Sequence, residues 1–214
     1  MKQKNKFLYF FKNESLWIKS ICAAFILTIV ISFLPFYATC AEISDNVFRL
    51  HILANSDSEQ DQALKMKVRD AVLQKAESIY AGAQSFEEAN TAICTNLQSI
   101  QQTAEQVLKA NGSNDAVTAR VTEKHFTTRN YEEFSLPAGK YRTLQIEIGN
   151  ANGKNWWCMV YPALCVPASQ KTDEEILEEI PQNEKEIITQ PQKFEVKFKV
   201  VEWLENLKAM LNFK

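Results

Sequence analysis

The spacing of hydrophobic and polar positions changes several times along this chain, and each change predicts an element. From Ser20 to Ala41 the chain is uncharged and apolar, with a centre from Ile21 to Leu34 that ends at Pro35. Phe48 to Leu53 reads as a strand. The cluster Asn55, Ser56, Asp57, Ser58 supplies groups that cap a helix start, with Ser56 and Glu59 or Ser58 and Asp61 able to form a capping box. From Glu59 to about Gly82, Leu64, Val68, Ala71, Val72 and Ile79 recur near helical spacing. A second helix is predicted from Phe86 to Lys109, with Ser85 as its cap, Glu88 three residues on and Asn111-Gly112 as its stop.

Beyond Gly112 the period becomes two. Val117, Ala119 and Val121 alternate with Thr118, Arg120 and Thr122, and Leu144, Ile146 and Ile148 alternate with Thr143, Gln145 and Glu147, predicting two half-buried strands around a turn at Leu136-Pro137-Ala138-Gly139. Gly149 to Gly153 reads as a hairpin into Trp156 through Tyr161, a run apolar on both faces and so expected at the centre of the sheet. Residues 171–193 are rich in Glu, Gln and Pro and read as a solvated acidic linker or flap, with one helical turn from Thr172 to Ile180 stopped by Pro181. Phe194, Val196, Phe198 and Val200 alternate with Glu195, Lys197 and Lys199, predicting a last strand before a short helix with Trp203, Leu204, Leu207 and Leu211. This order predicts an α+β domain: two N-terminal helices packed on a mostly antiparallel sheet, then a C-terminal strand and helix.

Charge changes the picture at the N-terminus. Lys2, Lys4, Lys6, Lys12 and Lys19 face a single acid, Glu14, ahead of the apolar stretch, so residues 1–41 read as an export signal or a retained membrane anchor. Ala38 and Cys40, or Thr39 and Ala41, offer a signal-peptidase site, and Tyr37 and Thr39 fit a lipoprotein site at Cys40 poorly. On either reading the basic flank stays inside and residues 42–214 lie outside the cytoplasm as a single domain. That part holds 19 basic and 25 acidic residues, a formal charge of −6, with the basic residues scattered. This argues against a nucleic-acid partner.

Arg49, His51, Leu53 and Asn55 share one side of their strand, and the next helix brings Asp57 and Asp61 close by. Two readings stay open. Arg49, His51, Asn55, Ser56 and Asp57 form a recognition surface for a partner, or Asn55 and Asp57 cap, Arg49 pairs with a helix carboxylate and His51 packs. Only His51 and His125 are available as imidazoles, and no His-Glu-x-x-His, Cys-x-x-Cys or Gly-x-Ser-x-Gly is present. No metal, cofactor or catalytic residue is therefore expected, short of a site assembled from His51, His125 and an aspartate. Trp156 and Trp157 must point to opposite faces of their strand, each a core residue or, for at most one, an exposed interface anchor. A turn at Pro162 would bring Cys158 and Cys165 within disulfide range, against the alternative of two buried thiols, and Cys94 is expected in the core.

Two stretches carry a family likeness. Arg49-Leu50-His51-Ile52-Leu53-Ala54-Asn55-Ser56-Asp57, running into a helix with Asp61-Gln62 and Lys65, is the first. Gly153-Lys154-Asn155-Trp156-Trp157-Cys158 ahead of Tyr161-Pro162-Ala163-Leu164-Cys165 is the second. Both resemble the stage II sporulation protein R family. With Leu136 to Tyr141 and Phe198 to Trp203, the likeness spans roughly Val47 to Glu205, and it is weakest in the acidic segment. The resemblance implies a non-enzymatic, secreted signal of endospore-forming bacteria. It would be made in the forespore, exported between the two cell membranes, and would activate a membrane-embedded aspartic peptidase that processes the inactive sigma-E precursor in the mother cell. The alternatives are a cell-envelope hydrolase using the His51 and Asp57 region, or a structural envelope protein.

Overall fold

The computed structural model describes residues 3–131, 134–162 and 180–211, with side chains from residue 16 onward. The chain divides into two compact units, Met1–Thr39 and Cys40–Lys214. A long helix, α1 (Gln3–Asn46), contains Pro35 without ending there. In the first unit Leu16, Ile21, Ile26 and Leu34 all stand exposed. From Leu16 on, the helix is long and apolar enough to cross a membrane. An apolar segment left almost wholly exposed from residue 16 to residue 35 suits a signal peptide or a membrane anchor.

In the second unit strand β1 (Phe48–Leu53) leads into α2 (Glu59–Tyr80), α3 (Phe86–Thr95) and α4 (Leu97–Ala110). Strands β2 (Val117–Phe126), β3 (Arg129–Asn130), β4 (Ser135–Leu136), β5 (Gly139–Ile148) and β6 (Asn155–Tyr161) follow, then α5 (Gln182–Thr189), a short 3₁₀ turn (Pro191–Lys193) and α6 (Glu195–Leu211). The main sheet has the order β2-β5-β1-β6, with β1 parallel to β5 and the other two pairings antiparallel. The mixed α+β class and the mostly antiparallel sheet agree with the sequence.

One face of the sheet carries the core. Phe48, Leu50 and Ile52 of β1 and Leu144, Ile146 and Ile148 of β5 pack against Val68, Val72 and Ala76 of α2 and Ile100, Ala104 and Leu108 of α4. Ser58 and Ser85 cap α2 and α3 by accepting from the backbone N–H groups of Asp61 and Glu88. Glu88 in turn accepts from the N–H of Gln84.

Several elements differ from expectation. The helix predicted from Phe86 to Lys109 breaks at Asn96, whose side-chain amide donates to the Ala92 carbonyl and competes with the helical ladder. Gly149 to Gly153 closes no hairpin, because β1 lies between β5 and β6 and the loop arches over its end. Strand β6 is accordingly at the sheet border and pairs with β1 alone among the described residues. Phe194 to Val200 forms no strand and belongs largely to α6, with Phe198 and Val201 turned inward. Within the acidic segment, 182–189 is helical and buries Glu184, Ile187 and Ile188, while 163–179, including the turn expected from Thr172, lies outside the described residues. Cys94 is exposed, one position beyond the buried Ile93.

Candidate functional site

Register builds the site on the sheet's second face. Arg49 stands beside Thr143 of β5 and Met159 of β6, and His51 beside Gln145 and Trp157. A period of two turns these side chains away from the helical core. In β2, Lys124 and Phe126 share that parity with Arg120.

Arg49 is fully buried in an aromatic cage. Its guanidinium carbon lies 4.0 Å from the Phe126 ring centroid and 5.1 Å from that of Tyr141, and Nη2 donates to the Tyr131 hydroxyl at 2.6 Å. Nε and Nη1 find no hydrogen-bond partner among the described residues, so ring faces stand where a helix carboxylate was one expectation. Cation–π attraction offsets part of the cost of burying the charge. The neighbouring Tyr141 hydroxyl donates to the Pro137 carbonyl, and burial pushes its pKa up.

His51 is buried and polar on both edges. Nε2 lies 2.7 Å from Asn155 Oδ1, and Nδ1 lies 3.0 Å from Lys124 Nζ. An ammonium can only donate, so Nδ1 accepts and Nε2–H donates. Burial, with help from Lys124 and Arg120 and against the Asn155 hydrogen bond and Glu147, lowers the imidazole pKa to about 4. At neutral pH the ring is therefore uncharged. It stacks on Trp157, whose outer surroundings include Lys124 Nζ at 5.2 Å and the exposed Arg129 guanidinium at 5.8 Å from the ring centroid. Phe126 meets the same indole edge-on.

Asn55, Ser56 and Asp57 form a separate knot at the end of β1. Asn55 Nδ2 and Ser56 Oγ both donate to Asp61 Oδ2, at 3.1 and 2.6 Å. Asn55 Oδ1 accepts from the Asn150 N–H, Asp57 Oδ1 from the Lys154 N–H, and the Ser56 carbonyl from Gln62 Nε2. The buried Lys65 donates to Gln62 Oε1 and the Lys154 carbonyl, and burial lowers its pKa. Trp156 turns to the helical face, where the Arg69 guanidinium lies 4.9 Å from its ring centroid. Arg49, His51 and Trp157 thus come together, the Asn55–Asp57 corner is a neighbouring cluster, and Trp156 is on the other side of the sheet.

His125 faces Glu205 at 4.0 Å and shares none of the partners of His51. Among the described residues no three His, Cys, Asp or Glu side chains gather closely enough to hold a metal. Cys158 is buried, and its expected partner Cys165 lies outside the described residues. Sequence reading missed Lys124, Phe126, Arg129 and Tyr131 as members of the site. The parity of β2 with Arg120 was the available signal for the first two; nothing local marks the others.

An apolar N-terminal helix ahead of an α+β domain, with one sheet face given to the core and the other to a buried Arg49 and His51 beside a half-buried Trp157, defines the class. The chain belongs to the stage II sporulation protein R family, whose family model matches residues 44–171. It is similar to stage II sporulation protein R of Bacillus subtilis (strain 168), at 35% identity over 190 residues, covering 77% of this chain and 83% of that relative. No solved structure matches the chain. Family membership implies a role in sporulation.

Proposed function

We propose that this protein is a secreted signal of endospore formation, exported from the forespore to activate the membrane-embedded aspartic peptidase that processes the inactive sigma-E precursor in the mother cell. The observation that carries the reading is the half-buried Trp157, backed by a neutral His51 and flanked by Lys124 and Arg129. A rigid indole with cations at its margin has the composition of an interface anchor. It suits an extracytoplasmic loop of the peptidase that presents carboxylates around an apolar side chain. The Asn55–Asp61 knot and the Arg49 cage hold this face in place from either side.

Co-expression of the exported protein with the cognate peptidase and its precursor in a non-sporulating cell tests the reading. Precursor cleavage is expected only when this protein is present. Arg129→Glu, on an exposed side chain, is expected to cut cleavage at least about tenfold with the fold unchanged. No cleavage by wild type despite verified export sinks the signalling reading, and full activity of Arg129→Glu moves the contact elsewhere.

A further inference from the structure

Helix α6 covers the domain with one side and, among the described residues, leaves the other unpartnered. Phe198 and Val201 are buried, whereas Val196, Val200, Trp203, Leu207, Met210 and Leu211 are exposed, Trp203 to 64% and Met210 to 68%. At 100° per residue these six fill a continuous arc of roughly 100°. No charged residue falls within it. Lys199 borders one edge, and Lys197 and Lys208 border the other.

The charges are sorted as well. The side chains of Lys199 and Lys208 are 76% and 56% exposed, while those of Glu202 and Glu205 are drawn back to 26% and 15%. Each lysine is within 4.0 Å of one of these carboxylates, and in each pair the lysine side chain is the more exposed. The domain as a whole is acidic, so this local ordering of charge is what an anionic surface would meet first.

We propose that α6 is an interfacial helix that lies in an anionic lipid surface, with Trp203, Leu207 and Met210 sunk among the headgroups and the lysines extended to the phosphates. The arc is wider than the narrow seam that one partner helix covers, and two copies joined through it would bring lysine-rich edges together. Tryptophan amid aliphatic residues with lysine at both margins is the composition of helices that lie on membranes. The same chain carries a segment long and apolar enough to cross a bilayer, which is consistent with a protein that works close to a membrane. This goes beyond the signalling reading and does not depend on it. For a protein separated from its N-terminal helix, α6 would keep it at the membrane surface rather than free in solution.

The test uses the full chain in phosphatidylglycerol nanodiscs with and without brominated acyl chains, comparing wild type with Trp203→Phe. The difference isolates Trp203 from Trp17 in α1. Its emission is expected to fall at least about twofold with brominated lipid, and Leu207→Glu or the pair Lys199→Glu and Lys208→Glu should abolish that fall without changing the circular dichroism. A Trp203 contribution that brominated lipid leaves unchanged overturns the proposal, as does a blue-shifted, unquenched Trp203, which would mean cover by protein. Quenching that survives the lysine reversals overturns the assignment to an anionic surface.

Discussion

The imidazole of His51 lies flat on the indole of Trp157, ring centroids 3.7 Å apart and planes within 9°. The two residues face each other across the β1–β6 pairing, so register alone makes the stack. The stack joins a buried residue, whose protonation state is set by its surroundings, to a half-buried one that solvent can reach.

The lowered pKa of His51 makes stability depend on pH. The unfolded chain takes up a proton near pH 6.5, and the folded chain resists until about 4. Stability is therefore full above pH 6.5, falls as the pH drops from 6.5 to 4, and loses nothing further to this group below 4. The full loss is on the order of 3 kcal/mol. Urea denaturation of wild type and His51→Phe at pH 7 and pH 4.5 should show a smaller acid loss in the variant; equal losses would place the titration elsewhere.

Gly149 and Gly153 are required by the loop that arches over β1. A Cβ at Gly153 would stand 2.2 Å from the Ser56 carbonyl oxygen, and one at Gly149, at φ +56°, would stand 2.3 Å from Asn55 Oδ1. Gly112 also has a positive φ, yet nothing lies within 4 Å of its Cβ position. Gly153→Ala should cost more than about 3 kcal/mol, and Gly112→Ala only about 1 kcal/mol. Melting curves of the two variants compare the costs directly, and a Gly153→Ala protein as stable as wild type would contradict this packing.

Arg49 should not tolerate lysine. The flat guanidinium spans the Phe126 and Tyr141 rings while reaching the Tyr131 hydroxyl, and an ammonium is more strongly hydrated and cannot stack in that way. Arg49→Lys is expected to destabilise by about 2 kcal/mol. Chemical denaturation measures this, and an unchanged midpoint would show that the cage contributes little.

Local rules carried most of the fold. The caps at Ser58 and Ser85, the period of α2 and the parity of β2 and β5 are all short-range signals. What failed was non-local. Insertion of β1 between β5 and β6 cannot be read from a glycine-flanked loop that looks like a hairpin. Alternation from Phe194 to Val200 mixed two sides of one helix, Phe198 inward and Val196 and Val200 outward, so an exposed apolar face imitated a strand. In the site, period two placed Arg49 with His51 and set Trp156 opposite Trp157. The Phe126, Tyr131 and Lys124 contacts span more than seventy positions and depend on strand order.

Asp61 ties the two halves of the polar corner together. Its carboxylate accepts from Ser56 Oγ and Asn55 Nδ2 while its own N–H donates to Ser58, and the Ser56 hydrogen bond is the largest cause of its lowered pKa. The folded state therefore favours the carboxylate, a contribution complete above the ordinary aspartate range and lost as pH falls through the lowered value. Asp61→Ala removes the single oxygen that accepts from both, leaving the Asn55 amide and the Ser56 hydroxyl without this bond at a cost of about 1–3 kcal/mol. Since Asn55 also holds the Asn150 N–H, loosening should spread to the loop before β6. Hydrogen exchange at Asn150, Gly153 and Lys154 is the sensitive readout: faster exchange there, with the α2–α4 core amides unchanged, is the expected result, and protection equal to wild type would mean that the loop is held without Asp61.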